Sequence, residues 1–163
     1  MKLAVRGAVL ALSLACGTAQ GDVFTDGDSL MMQFGPYVYH RHYDPRHNDH
    51  PALFGLEWES QSRLELGAVW FLNSFYQPSE YAYVGKRWFF YNPRDDDGLY
   101  LKLTAGPLYG YKGQYADNVP FNHDGLGVAA IPGIGYQYDR ASAQFVLLGT
   151  AGFMITFGLQ VAK

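Results

Sequence analysis

Cysteine is nearly missing from this chain. The only one, Cys16, falls in the N-terminal stretch, so the remainder can form no disulfide of its own. Long hydrophobic runs are missing too. Beyond the apolar residues 8–15 nothing approaches the roughly 20 consecutive apolar residues that a helix needs to cross a bilayer, which argues against helical spans. Charge of one sign is scarce, with 12 Lys and Arg against 15 Asp and Glu and a net charge of -3. No basic patch stands out, so nucleic acid is not an expected partner. There is no phosphate-cradling glycine loop and no dinucleotide fingerprint, and no cofactor is expected.

Aromatic residues and glycine are abundant. Aromatics make up 17% of the chain, with Tyr 13, Phe 11 and Gly 19 as counts, a balance that suits an exported all-β protein. Lys2 and Arg6, the short apolar run 8–15 and the small residues Gly17, Thr18 and Ala19 have the layout of a secretory signal. Cleavage is expected after Ala19 or Gly21, making 1–21 a signal peptide and 22–163 one domain. Ser13, three places before Cys16, is not the aliphatic residue of a usual lipoprotein signal, which remains the weaker alternative.

Residues 64–91 show the governing pattern. Leu64, Leu66, Ala68, Trp70 and Leu72 alternate with Glu65, Gly67, Val69, Phe71 and Asn73, the period of a β-strand. Pro78 and Ser79 mark a connection, and a second arm restarts at Tyr81 and runs through Trp88, so the segment is a hairpin with Asn73 and Ser74 at its tip. The same alternation predicts further strands at 30–42, 52–60, 99–111, 126–138, 141–149 and 153–161. Eight strands of near-transmembrane length, with longer polar connections at 43–51, 75–80 and 112–125, short turns at 61–63 and 139–140 and a longer breaker-rich turn at 92–98, predict an all-β, eight-stranded antiparallel up-and-down transmembrane β-barrel. The expected location is the outer membrane of a Gram-negative envelope, as a monomer whose large-residue face meets lipid. A soluble calycin-type barrel is the alternative, because alternation alone does not say which face is wet.

The predicted interior, which includes Val69, Phe71, Leu108, Val146 and Leu148, is too apolar for a water-filled channel and better suits an acyl-chain slot. Pro36 and Pro132 fall inside predicted strands, where proline cannot donate a ladder hydrogen bond. Each is either a bulge or a gap that admits a lipid tail sideways.

Four of the five histidines lie between His40 and His50. The topology places them at one rim with Asn73 and Ser74. A hydroxyl becomes a competent nucleophile when a neighbouring base takes its proton, so Ser74 and a histidine such as His40 form a candidate acyl-transfer pair. A plain turn serine and solvated loop histidines are the bland alternative. His40, His42, Asp44, His47, Asp49 and His50 are also metal-ligand types, without the spacing of a structural site.

FLNSFYQPSEYAYVGKRW (71–88) resembles the stretch of the lipid A palmitoyltransferase family (PagP) in which an aspartate–serine pair ends a strand. YHRHYD (39–44), followed by His50, Pro51 and an apolar strand, resembles that family's histidine-bearing first strand and loop. IPGIGYQY (131–138), with Ile131, Pro132, Gly135 and Tyr136, is similar to its proline-interrupted strand. The resemblance implies an enzyme that moves an acyl chain from a membrane phospholipid to the lipid A of lipopolysaccharide. It implies His40 as general base, Ser74 as nucleophile or as a donor that polarises the acyl carbonyl, and Asn73 as an orienting or oxyanion-type donor. Asn73 stands where that family has aspartate, and no amphipathic helix precedes the first strand. The chain also resembles small proteobacterial barrels that share the NSF hairpin motif, some labelled as transporters. The competing expectation is a non-catalytic outer-membrane barrel whose histidine-rich loops bind a partner or a metal.

Overall fold

The computed structural model describes residues 27–42, 44–94 and 97–163; the expected signal sequence lies outside them. Among these residues the eight strands are β1 (Ser29–His40), β2 (Leu53–Glu59), β3 (Leu64–Leu72), β4 (Pro78–Arg94), β5 (Asp97–Tyr109), β6 (Leu126–Tyr138), β7 (Ala141–Leu147) and β8 (Gly152–Ala162). Each pairs antiparallel with the next, and β8 returns to β1, closing an up-and-down barrel. Closure leaves no free sheet edge along most of the wall.

Alternation decides which residues face in. On β3 the exposed Leu64, Leu66 and Trp70 point outward, while Glu65 and Val69 are buried inside. On β5, Leu99, Leu101 and Leu103 point out, and Tyr100, Lys102 and Thr104 point in. The barrel is therefore inside out relative to a water-soluble one. Leu56, Leu66, Val84 and Leu159 are each more than half exposed, while Glu57 and Glu65 are 1% and 2% exposed. A soluble monomer rarely presents a continuous apolar surface of this kind.

The chain departs from the predicted boundaries mainly between 92 and 98, expected as a turn. β4 instead runs on to Arg94 and β5 resumes at Asp97, because the aromatic run Trp88–Tyr91 favours pleated backbone. Arg94 and Asp97 form an ion pair at 3.0 Å, and Asp97 Oδ1 accepts the Asp139 N–H at 2.7 Å, tying this hairpin to the neighbouring turn.

The interior, expected to be apolar, has two halves, and only one of them is. Toward the end that carries the short turns, Glu57, Glu59 and Glu65 surround Arg87 and Lys102. Arg87 reaches Glu57 at 3.3 Å, Glu59 at 3.2 Å and Glu65 at 2.9 Å. Lys102 pairs with Glu57 and, at 3.1 Å, with Glu65. The Tyr83 hydroxyl donates to Glu57, and the Gln33 amide donates to Tyr83 at 3.0 Å. A Cβ at residue 67 would run into the Tyr83 ring, which is why glycine stands there. Toward the other end, Leu53, Val69, Tyr81, Leu108 and Val119 form the apolar core, with Phe71 and Ile131 packed against it.

Candidate functional site

The apolar end of the barrel carries the histidines. His40 is the last residue of β1, where it pairs with Gly152 of β8. Ser74 lies in the tight connection between β3 and β4. Asn73 builds that connection: its side-chain oxygen accepts the N–H of Phe75 at 2.9 Å and of Gln77 at 3.1 Å, and its carbonyl accepts the N–H of Tyr76. Tyr76 takes a positive φ of 60° to complete it. This is the behaviour expected of an Asx residue in a turn. The structure thereby brings the Ser74 Oγ to 2.8 Å from His40 Nε2, across 34 residues of sequence.

Asn73 is buried, at 2% exposed, and its carboxamide is taken up by the turn, with Nδ2 donating to Gln77 Oε1 at 3.4 Å. Its place is beneath Ser74 as a turn former, so the orienting and oxyanion-type roles expected of it have no hydrogen bond behind them here.

The neighbouring acids are engaged elsewhere. Asp44 holds Arg46 through paired contacts at 2.7 and 3.0 Å, and these hydrogen bonds keep its carboxyl well below the usual carboxylate range. Asp49 lies 2.6 Å from the His50 ring, and Asp124 lies 3.6 Å from His123. Among the described residues no carboxylate is hydrogen-bonded to His40, so the arrangement is a serine–histidine dyad. His47 instead sits beside it, with ring centroids 4.9 Å apart. Among the described residues no group of three or more His, Cys, Asp or Glu converges in a way that could hold a metal ion.

Sequence reasoning missed Asn48. It is 4% exposed, in the returning half of the connection from β1 to β2. Its backbone N–H donates to the Ser74 carbonyl at 2.9 Å, and its side-chain amide donates to the carbonyls of Leu72 and Asn73, both at 3.3 Å. Its side-chain oxygen accepts the His50 N–H at 3.0 Å. Asn48 thus pins the histidine loop to the serine turn. The available sequence signal was an asparagine among charged neighbours, which reads as an ordinary loop residue. Misplacing reacting groups by about 1 Å can cost on the order of 10²-fold in rate. Asn48→Ala is therefore expected to slow labelling of Ser74 by a fluorophosphonate probe by about that factor, with the barrel's heat-modifiable migration on gels unchanged. Asn48→Asp, which keeps only the acceptor, is expected to do no better.

Below Ser74 a narrow cavity of about 110 Å³ runs into the barrel. Val38, Leu53, Val69, Phe71, Leu108 and Val146 line its sides, and Tyr83 and Lys102 close its far end. The aromatic pair Phe75 and Tyr115, stacked at 3.8 Å, adjoins the Ser74 turn, with His47 edge-on to Phe75 at 5.3 Å.

The wall beside the cavity is thin in two places, and these correspond to the two prolines. Pairing of β6 with β7 ends at Gly133–Val146, although β6 continues to Leu126 alongside β5. Pro132, which faces outward, and Ile131, which faces inward, both border the cavity at this point. Pro36 lies where the β1–β8 register shifts between Phe34 and Tyr37, a bulge. Beyond Gly35 the pairing of β1 with β2 also stops, and a single bond from the Val38 N–H to the Asp49 carbonyl bridges to the loop.

No protein-family model matches this chain, and no curated protein matches it either.

Proposed function

We propose that this protein is an outer-membrane barrel that handles lipid, and that its activity is PagP-like transfer of an acyl chain from a phospholipid to lipid A. The observation that carries the reading is the 2.8 Å His40–Ser74 contact at the head of a largely apolar cavity. The exposed aliphatic belt supports a membrane setting. So do the exposed aromatics near its two ends: Trp70, Tyr37 and Tyr39 toward the histidine rim, and Trp88, Phe90 and Tyr138 toward the other. Among the described residues no helix is long and apolar enough to cross a membrane, so any crossing is by strands.

In this reading the acyl tail of a phospholipid enters the cavity and its ester carbonyl lies beside Ser74. His40, as neutral imidazole, takes the hydroxyl proton while Oγ forms a bond to the carbonyl carbon. The ester bond to the glycerol oxygen breaks, and the proton passes from His40 to that oxygen, releasing a lysophospholipid. A lipid A hydroxyl then attacks the acyl-serine, giving its proton to His40, which returns it to Ser74. The unpaired stretch of β6 beside the cavity supports sideways entry of the tail from the bilayer, since proline weakens the wall there.

The test is mass spectrometry of lipid A from a Gram-negative host with and without the protein. The expected result is a lipid A species heavier by one acyl chain. If no such species appears in any membrane tested, the transferase reading is withdrawn and a non-catalytic barrel remains.

A further inference from the structure

The cavity is largely apolar along its sides, and its polar lining leaves hydrogen-bonding capacity unused at one level. Thr156 of β8 and Gln144 of β7 are cross-strand partners, and both side chains line the cavity. Thr156 is 3% exposed, and its hydroxyl has no hydrogen-bond partner among the described residues. The Gln144 oxygen accepts a long bond of 3.4 Å from the Tyr100 hydroxyl, while its amide nitrogen makes no hydrogen bond among the described residues. The other polar groups nearby are satisfied: Thr104 accepts from Tyr81 at 3.1 Å and donates to the Ile131 carbonyl at 3.2 Å, and Gln33 donates to Tyr83. Gly35 opposite keeps the level open, since a Cβ there would press on the Thr156 methyl at 3.2 Å.

A buried hydroxyl without a partner is destabilising, so a site that retains one beside an available amide is suited to a ligand bearing a polar atom at that depth. Such sites discriminate well, because a ligand lacking the group leaves them unpaired. Thr156 lies four residues along β8 from Gly152, the partner of His40. That distance is about 13 Å of strand, well below the reacting centre.

We propose that the slot selects an acyl chain carrying a hydroxyl in mid-chain, received by the Thr156 hydroxyl and the Gln144 amide. This rests on the acyl-slot reading and adds a substrate class to it.

The experiment compares octadecanoic, 3-hydroxyoctadecanoic and 10-hydroxyoctadecanoic acids in competition with a fluorescent fatty acid on the detergent-solubilised barrel. The 10-hydroxy chain is expected to bind about tenfold more tightly than the other two, as one extra hydrogen bond in a dry site would give. Thr156→Val, close in shape, is expected to erase that preference, and Thr156→Ser is expected to retain it. Equal binding of all three chains, or a preference that survives Thr156→Val, overturns the proposal and leaves the slot reading in place. If none of the chains binds the native barrel, the slot reading and this proposal fall together.

Discussion

Ser74→Ala is expected to abolish acyl transfer to lipid A, and His40→Ala to reduce it by about 10²–10⁴-fold, the usual contribution of a positioned general base. Both variants should migrate as heat-modifiable barrels, because neither side chain is part of a ladder or of the ionic half of the interior. The single 2.8 Å contact links these expectations. If the serine is the nucleophile and the histidine its base, the double variant costs little more than Ser74→Ala alone, since groups acting as one unit are not additive. Full retention of transfer in either single variant would remove the dyad from the mechanism. The product is read by mass spectrometry of lipid A, alongside a gel assay of folding in the same membranes.

The second large effect is on stability. Lys102 is buried between Glu57 and Glu65, and Arg87 is the other cation touching them. Lys102→Met would leave the buried carboxylates of Glu57 and Glu65 with Arg87 alone, a guanidinium already shared with Glu59, which also pairs with Arg63 at 2.8 Å. Breaking a buried ion pair from one side typically costs about 3–5 kcal/mol, because a charge is left unpaired in a medium that solvates it poorly. The variant is expected to lose its resistance to SDS at room temperature and to unfold at a markedly lower urea concentration. Adding Glu57→Gln should restore part of the loss, since a charge leaves from each side of the pair. Wild-type resistance in Lys102→Met alone would mean that the cluster contributes little.

Alternation in the sequence was enough to place the strands and their outer faces, because a residue on a pleated strand has only two directions to point. Leu66 and Trp70 against Glu65 and Val69 sorted themselves in this way. The meeting of His40 and Ser74 followed from topology, since consecutive antiparallel strands return their ends to the same rim. The role of Asn73 was not legible in the same way. A side chain at a strand end can serve either the turn or the site, and only the turn's backbone N–H groups showed which it serves. Asn48 was hidden for a related reason, as its partners are carbonyls that no residue pattern reveals. The charged half of the interior could have been read. Glu57, Glu65, Arg87 and Lys102 all lie on the strand faces opposite the large apolar residues. In a barrel with an apolar exterior those faces must point inward, and opposite charges on adjacent strands must then meet.

The unpaired outer length of β6 has a mechanical consequence. With its ladder to β7 ended at Gly133, this sector of the barrel is joined on one side only, while the opposite end is cross-braced by ion pairs spanning β2, β3, β4 and β5. The cylinder is thus stiff at its base and compliant at its lip. Thermal breathing will concentrate between β6 and β7, where the ladder is short and no ion pair among the described residues braces the strands. The same asymmetry lets the lip part and reclose without loosening the base.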